Sequence, residues 1–243
     1  MANPIFRKNF EQEQVLDGEP MSINGTITKS VIMISLIVAA AAYTWSLIFS
    51  GFVDKAGMLG IGGFFAAFIA GLIVIFAKPR ITPVLSIIYS VGEGLFLGVF
   101  SAYFEKYYPG IVLSAVICTF GAMFMMLLLY RVGAIKCTEK FRAVIFTATS
   151  SVLLIYIIQI VASLFGRSIP QIFTASITGI VFSVIVTLIA AFNFIVDFDF
   201  IERGSAMMLP KLYEWIGATS LMFSLVWLYM EMIRLLAKVM SRR

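Results

Sequence analysis

The chain has 243 residues, of which 61% are hydrophobic and 13% charged, and its formal net charge is +5. Soluble domains are about half apolar and about a quarter charged, so this composition excludes an ordinary soluble protein and indicates a polytopic membrane protein. The sequence contains no histidine, which excludes haem and zinc sites built on imidazole as well as a histidine pH switch.

Seven apolar runs follow one another along the chain, and each has about 20 residues or more, enough to cross the bilayer core as a helix. No connection between them has room for a soluble domain. We therefore predict an all-α membrane protein with residues 1–26 as a cytoplasmic N-terminal tail and residues 27–243 as one seven-helix transmembrane domain. The runs are Ile27–Phe49, Gly57–Ala77, Val84–Tyr103, Ile111–Tyr130, Ala143–Phe165, Ile172–Val196 and Ile216–Val239.

Lysines and arginines are concentrated on one side of the predicted membrane. With the N-terminus in the cytoplasm, the outer loops hold only Lys55, Lys106 and Arg167. This asymmetry predicts a cytoplasmic N-terminus, and it explains the net charge without a nucleic-acid partner. A conflict arises at the other end, because seven full crossings place four basic residues outside: Arg234, Lys238, Arg242 and Arg243.

The sequence lacks the signatures of an enzyme. No nucleophile elbow, phosphate loop or dinucleotide fingerprint occurs, and the serines within the runs have no base nearby in sequence. The two cysteines, Cys118 and Cys137, are expected to be reduced thiols. We predict neither an enzyme nor a cofactor.

Glu93 lies near the centre of the third run, in the string YSVGEGLFLG. A charge there costs ~2.5–3.5 kcal/mol on insertion scales, so Glu93 must face the bundle interior, be protonated or meet a cation. Gly94 and Gly98 form a small-residue pair that allows another helix to approach closely. Two interpretations stay open at this point, a protonated structural acid and a residue of an ion pathway.

The sixth run ends in NFIVDFDFIERG, which places several acids at the rim of the membrane. Asn193 and Asp197 share one helical face, whereas Asp199 points roughly opposite to Asp197, so only one of the two aspartates is expected to face the interior. We predict Asp197 as an ion-pathway or pH-sensing residue on a polar face with Asn193, and Asp199 and Glu202 as supporting charges. The alternative is that these acids are solvated interface residues.

Further charges flank or enter the seventh run. Glu214 precedes it and is a candidate for the pathway, and Glu231 with Arg234 has the i, i+3 spacing of a local structural ion pair. Lys78 and Arg80 are candidate charge partners for the acids. Carboxylates suit a hard cation such as calcium, but they are too scattered for a high-affinity metal site, so we predict weak calcium binding at most.

EGLFLG in the third run, VDFDFIERG at the end of the sixth and YEWIGATSLMFSLVWLYMEMIRLLAK in the seventh together resemble the transmembrane Bax inhibitor motif family, in its bacterial branch. The resemblance covers the chain from about residue 25 to the end. It implies a seven-helix fold with the last helix in the centre of two groups of three, a bacterial plasma membrane location and a pH-dependent calcium leak.

The resemblance also implies a sensor, because a pair of aspartates on the sixth and seventh helices has this role in the family. Asp197 matches the first member, but the position of the second falls near Ser224. Asp199, Glu214 and Glu93 are the acids that could substitute. Two functions remain: a calcium or general cation leak channel with carboxylate-based pH sensitivity, and a non-conducting regulator that binds a membrane protease or another membrane protein.

Overall fold

The computed structural model describes residues 19–76, 79–166 and 170–242. These ranges contain seven helices that are long and apolar enough to cross a membrane, and no strand apart from one isolated β-bridge. The predicted all-α, seven-span fold is therefore confirmed. The helices are α1 (Ile23–Phe49), α2 (Val53–Phe76), α3 (Thr82–Tyr107), α4 (Ile111–Arg131), α5 (Glu139–Leu164), α6 (Ile177–Ala206) and α7 (Tyr213–Met240).

Hydroxyl side chains cap the beginnings of α1 and α5. Ser22 accepts a hydrogen bond from the Gly25 amide at 2.9 Å, and Thr138 accepts one from the Phe141 amide at 3.1 Å. Such caps satisfy amides that have no partner within the helix. Because Ser22 is a cap, α1 begins at Ile23 and not at Ile27, where the apolar run begins.

The described residues form two compact units. Unit 1 contains the described residues up to Tyr103 together with Asp199–Met222, and unit 2 contains those from Phe104 to Phe198 and from Phe223 onward. Two helices are therefore shared. The end of α6 and the beginning of α7 belong to unit 1, and the remainder of both helices belongs to unit 2.

Glycines hold the helices of unit 1 close together. A Cβ atom on Gly63 would lie 2.5 Å from the Gly92 carbonyl oxygen, so α2 and α3 meet backbone to backbone. A Cβ on Gly94 or Gly98 would collide with α1, at Ile37 or at Ala41. This contact confirms the close approach that the Gly94 and Gly98 spacing predicts, and it is the packing that small residues permit between helices in lipid.

The burial of the helices differs strongly. In the most apolar stretch of α7, 56% of the residues are buried, the largest share among the seven helices, against 11% in α5. The polar residues of α7 therefore lie in protein and not in lipid. The resemblance implied a central place for this helix, and that arrangement stays a prediction.

Candidate functional site

Asp197 lies near the end of α6 and is 6% exposed. The hydroxyl of Ser224, on α7, donates to its Oδ2 atom at 2.5 Å, and Ser224 is also buried. The position where the resemblance places the second aspartate is therefore a direct partner of Asp197, but it presents a hydroxyl. We call this contact the Asp197–Ser224 pair.

A serine opposite Asp197 changes what protonation can do. Two carboxylates in contact repel each other when both are ionised, so a paired-acid switch works by repulsion. The Ser224 hydroxyl can either donate or accept, so it can stay bonded whether Asp197 is ionised or protonated. What protonation changes at this pair is the charge of a single carboxylate.

Asp199 is buried as well, at 5% exposure. Its carboxylate pairs with the guanidinium of Arg203, one turn later on α6, at 2.9 Å. The expectation that only one aspartate faces the interior is wrong, because α6 is covered on both of the faces concerned: Asp199 is buried in unit 1 and Asp197 in unit 2. Glu202 is exposed, as expected for a supporting charge.

Asn193 is half-buried on α6 and bonds to α5. Its amide nitrogen donates to the Thr149 hydroxyl at 3.1 Å and to the Ile189 carbonyl at 2.8 Å. Together with the Asp197–Ser224 pair, this contact gives α6 a polar face within unit 2. Asn193 and Asp197 were predicted to share a face of α6. In the structure, Asn193 bonds to α5 and Asp197 bonds to α7.

Glu93 is 8% exposed in the middle of α3, within unit 1. At that depth of burial the ionised form of its carboxyl group is costly. The two interpretations given by the sequence, a protonated structural acid and a residue of an ion pathway, both fit this burial.

Glu214, the acid at the beginning of α7, is 1% exposed and fully engaged. It pairs with the Lys29 ammonium of α1, and it accepts from the Ser22 amide at 2.8 Å and the Ser22 hydroxyl at 3.0 Å. These contacts join the beginning of α1 to the beginning of α7. Glu214 therefore has a structural role in linking these two helix ends. The sequence did not predict Lys29 or Ser22 as its partners.

A second contact fastens the segment before α1 to the α6–α7 connection. Pro20 and Pro210 form an antiparallel bridge, the Lys211 amide donates to the Glu19 carbonyl at 3.1 Å, and the Lys211 ammonium pairs with the Glu19 carboxylate. We call this the N-terminal clasp. The hydrogen bond and charge of Lys211 lower the pKa of Glu19, and the hydrogen bond and charge of Glu19 raise the pKa of Lys211.

The clasp is expected to be insensitive to pH near neutrality and to loosen in acid. Because the pKa of Glu19 is lowered in the folded state, its ion pair stabilises the clasp at pH values above the ordinary glutamate pKa, and this stabilisation is lost as pH falls through the folded-state pKa. Because the pKa of Lys211 is raised, its contribution is present below the ordinary lysine pKa and is lost as pH rises through the folded-state pKa. Hydrogen exchange should show constant protection of the Lys211 amide between about pH 5 and pH 10 and a loss below it. Glu19→Gln should lower that protection and remove its acid dependence, whereas an unchanged profile would contradict this assignment.

The C-terminal half of α7 carries a second charged group in unit 2. Arg234 pairs with Glu231 at 2.9 Å, which confirms the predicted i, i+3 ion pair. Tyr156 and Trp227 also donate to the same Glu231 oxygen, at 2.8 Å and 3.3 Å. Glu231 is 1% exposed, so these donors satisfy a carboxylate that would otherwise be costly to bury.

Lys238, which sequence reasoning left aside, lies in a group of oxygen atoms. Its ammonium donates to the Ser183 hydroxyl at 2.8 Å and to the carbonyls of Gly179 and Ile172 at 3.0 Å and 3.1 Å. Two of the basic residues that conflicted with the charge asymmetry, Arg234 and Lys238, are thus bonded within the protein. Since such charges are satisfied locally, they weigh less in the positive-inside pattern than loop charges do.

Of the two other predicted charge partners, only Arg80 lies within the described residues. Arg80 is exposed in the turn before α3, and Lys78 lies outside the described residues. The positive charge partner of Glu214 is Lys29, and that of Asp199 is Arg203. The spacing of Asp199 and Arg203 could have indicated their pairing, because residues four apart are neighbours on a helix.

Seven apolar helices, with buried acids that bond to side chains of opposite charge or to hydroxyls, define an integral membrane protein whose helices contact the lipid bilayer. A family model described as Bax inhibitor 1 like matches residues 3–241, nearly the whole chain. The chain therefore belongs to the Bax inhibitor 1 like family. Comparisons with curated proteins and with solved structures give no match.

Proposed function

We propose that this protein is a non-enzymatic cation leak channel that passes calcium and responds to pH through a carboxylate. The observation that carries the proposal is the Asp197–Ser224 pair, a buried acid bonded between α6 and α7. Intramembrane acids that face the protein interior commonly mark ion pathways and proton relays. Membership of the Bax inhibitor 1 like family adds support, because the family resemblance implies a calcium leak.

The pH response follows from the charge of Asp197. Ionised Asp197 carries a negative charge that attracts a cation. Protonation removes the charge without needing to break the contact. We therefore expect calcium flux to fall as pH is lowered. The proposed location is the plasma membrane of a bacterial cell, with the N-terminus in the cytoplasm.

The direct test is calcium entry into liposomes that contain the purified protein and a calcium dye. We expect flux well above that of protein-free liposomes. Absence of flux at every pH would overturn the proposal and leave the second candidate, a non-conducting regulator that binds a membrane protease or another membrane protein.

A further inference from the structure

The end of α7 lies beside the segment that leads into α6. This segment contains a short helical turn, Pro170–Phe173, and a bend that ends at Ser176. We call residues 170–176 the α5–α6 strap. Lys238, in the last turn of α7, bonds to it, so the strap lies where α6 begins and α7 ends, at one end of unit 2.

The Lys238 ammonium is shared between the strap and α6. A lysine ammonium has three N–H donors, and this one has three oxygen acceptors. They are the Ile172 carbonyl of the strap at 3.1 Å, and the Gly179 carbonyl and the Ser183 hydroxyl of α6 at 3.0 Å and 2.8 Å. One charged side chain of α7 therefore fastens the strap and α6 together.

The backbone of the strap lies directly against α6 at Gly179. A Cβ atom on this residue would collide with the Thr174 carbonyl oxygen, and it would lie 3.1 Å from the Ile172 carbonyl oxygen. Only a glycine allows the two backbones to approach this closely. The strap thus has a fitted position on α6 as well as a charged fastening.

Phe173 packs the strap against two helices. Its ring centroid lies 5.9 Å from that of Tyr156 on α5 and 6.3 Å from that of Phe182 on α6. These separations are in the range of favourable aromatic pairs. Together with the Lys238 contacts, they place the strap against α5, α6 and α7, so it covers the end of unit 2 between these helices.

The strap is remote from the Asp197–Ser224 pair within the same unit. Ser224 and Lys238 are 14 residues apart on α7, which corresponds to about 21 Å of helix. Coulomb energy falls with distance, so the Lys238 charge hardly opposes a cation at Asp197. The positive charge at the strap and the acid at the pair can therefore act on a cation at different points.

We propose that the α5–α6 strap is a gate at the end of unit 2 remote from Asp197, and that the Lys238 ammonium is the latch that holds it closed. The gating role rests on the proposed calcium leak. Asp197 attracts the cation and gives the pH response, whereas Lys238 sets how often the strap is open. Release of the strap breaks the hydrogen bonds of a charged group, which are stronger than those of neutral groups.

Lys238→Met tests the latch because it keeps a side chain of similar length and removes the charge with its three donors. We expect calcium flux into dye-loaded liposomes to rise about tenfold, since hydrogen bonds of charged groups are strong enough to shift the equilibrium between closed and open strap by that factor. The fall of flux at low pH should be retained, because Asp197 is unchanged.

Lys106→Met is the matched control for charge. It removes an exposed lysine that is predicted to lie on the same side of the membrane, so its flux should equal that of the wild type. Unchanged or lower flux in Lys238→Met would overturn the gate.

Gly179→Ala opens the strap without changing any charge, and it keeps the gate testable if Lys238→Met does not fold. The added methyl group displaces the strap from α6, so we expect flux to rise about threefold or more. Gly121→Ala on α4 is the control, because a Cβ atom there meets no atom within 4 Å. Equal flux in the two alanine variants would overturn the gate.

Hydrogen exchange separates the latch from the leak function. The amides of residues 172–180 should exchange about tenfold faster in Lys238→Met than in the wild type or in Lys106→Met, because local opening becomes more frequent. If the wild type passes no calcium, the leak function fails, and faster exchange still establishes the latch. Equal exchange in the three proteins would overturn the latch.

Discussion

Replacing Lys29 with methionine is expected to lower the free energy of unfolding by about 3 kcal/mol, because it leaves a buried carboxylate without its cation. Glu214 is 1% exposed, and the Lys29 side chain is 13% exposed. The Ser22 amide and hydroxyl would remain as its only hydrogen-bond donors among the contacts described above. Unfolding by SDS titration in mixed micelles measures the change.

Two variants control for that experiment. Lys55→Met removes the same charge from an exposed position and should change the free energy of unfolding by less than about 0.5 kcal/mol. The double variant Lys29→Met with Glu214→Gln should recover part of the loss, since it removes both charges. Equal stability of Lys29→Met and Lys55→Met would contradict the structural role of the Lys29–Glu214 contact.

Replacing Ser224 with aspartate is expected to make calcium flux depend far more steeply on pH. The variant would place two carboxylates where one acid now meets a hydroxyl at 2.5 Å. Two acids in such contact cannot both ionise without strong repulsion, so one proton is held until the pH is high. Flux should rise about tenfold between about pH 6 and pH 8, because the second negative charge adds cation attraction.

Ser224→Asn is the control for this variant, because it has similar bulk to aspartate but no charge. Its pH profile should resemble that of the wild type. A profile for Ser224→Asp that matches Ser224→Asn would contradict the view that the charge at this contact controls flux. The measurement is calcium entry into dye-loaded liposomes over the same pH range.

The sequence was sufficient for features that depend on local spacing. Apolar length predicts the seven helices, the i, i+3 spacing predicts the Glu231–Arg234 pair, and the Gly94 and Gly98 spacing predicts a close helix contact. The resemblance also led to the correct position opposite Asp197. Each of these follows from helical periodicity or from alignment of one helix with a known pattern.

Contacts between distant parts of the chain could not be predicted in the same way. Lys29 and Glu214 are 185 positions apart, and helical spacing carries no information about such a pair. Helical geometry places Asp199 on the side of α6 opposite to Asp197, and this side was assumed to face outward. The burial of Asp199 was therefore not predicted. A shared helix such as α6 can be covered on both faces, and only the tertiary arrangement reveals this.

The pH profile of Asp197→Asn tests the central claim most directly, with Asp199→Asn as the matched control. In dye-loaded liposomes between about pH 5 and pH 8, the wild type and Asp199→Asn should lose calcium flux as pH falls, because protonation removes the Asp197 charge. Asp197→Asn should show low flux that does not change with pH. The same pH dependence in Asp197→Asn as in the wild type would contradict the account.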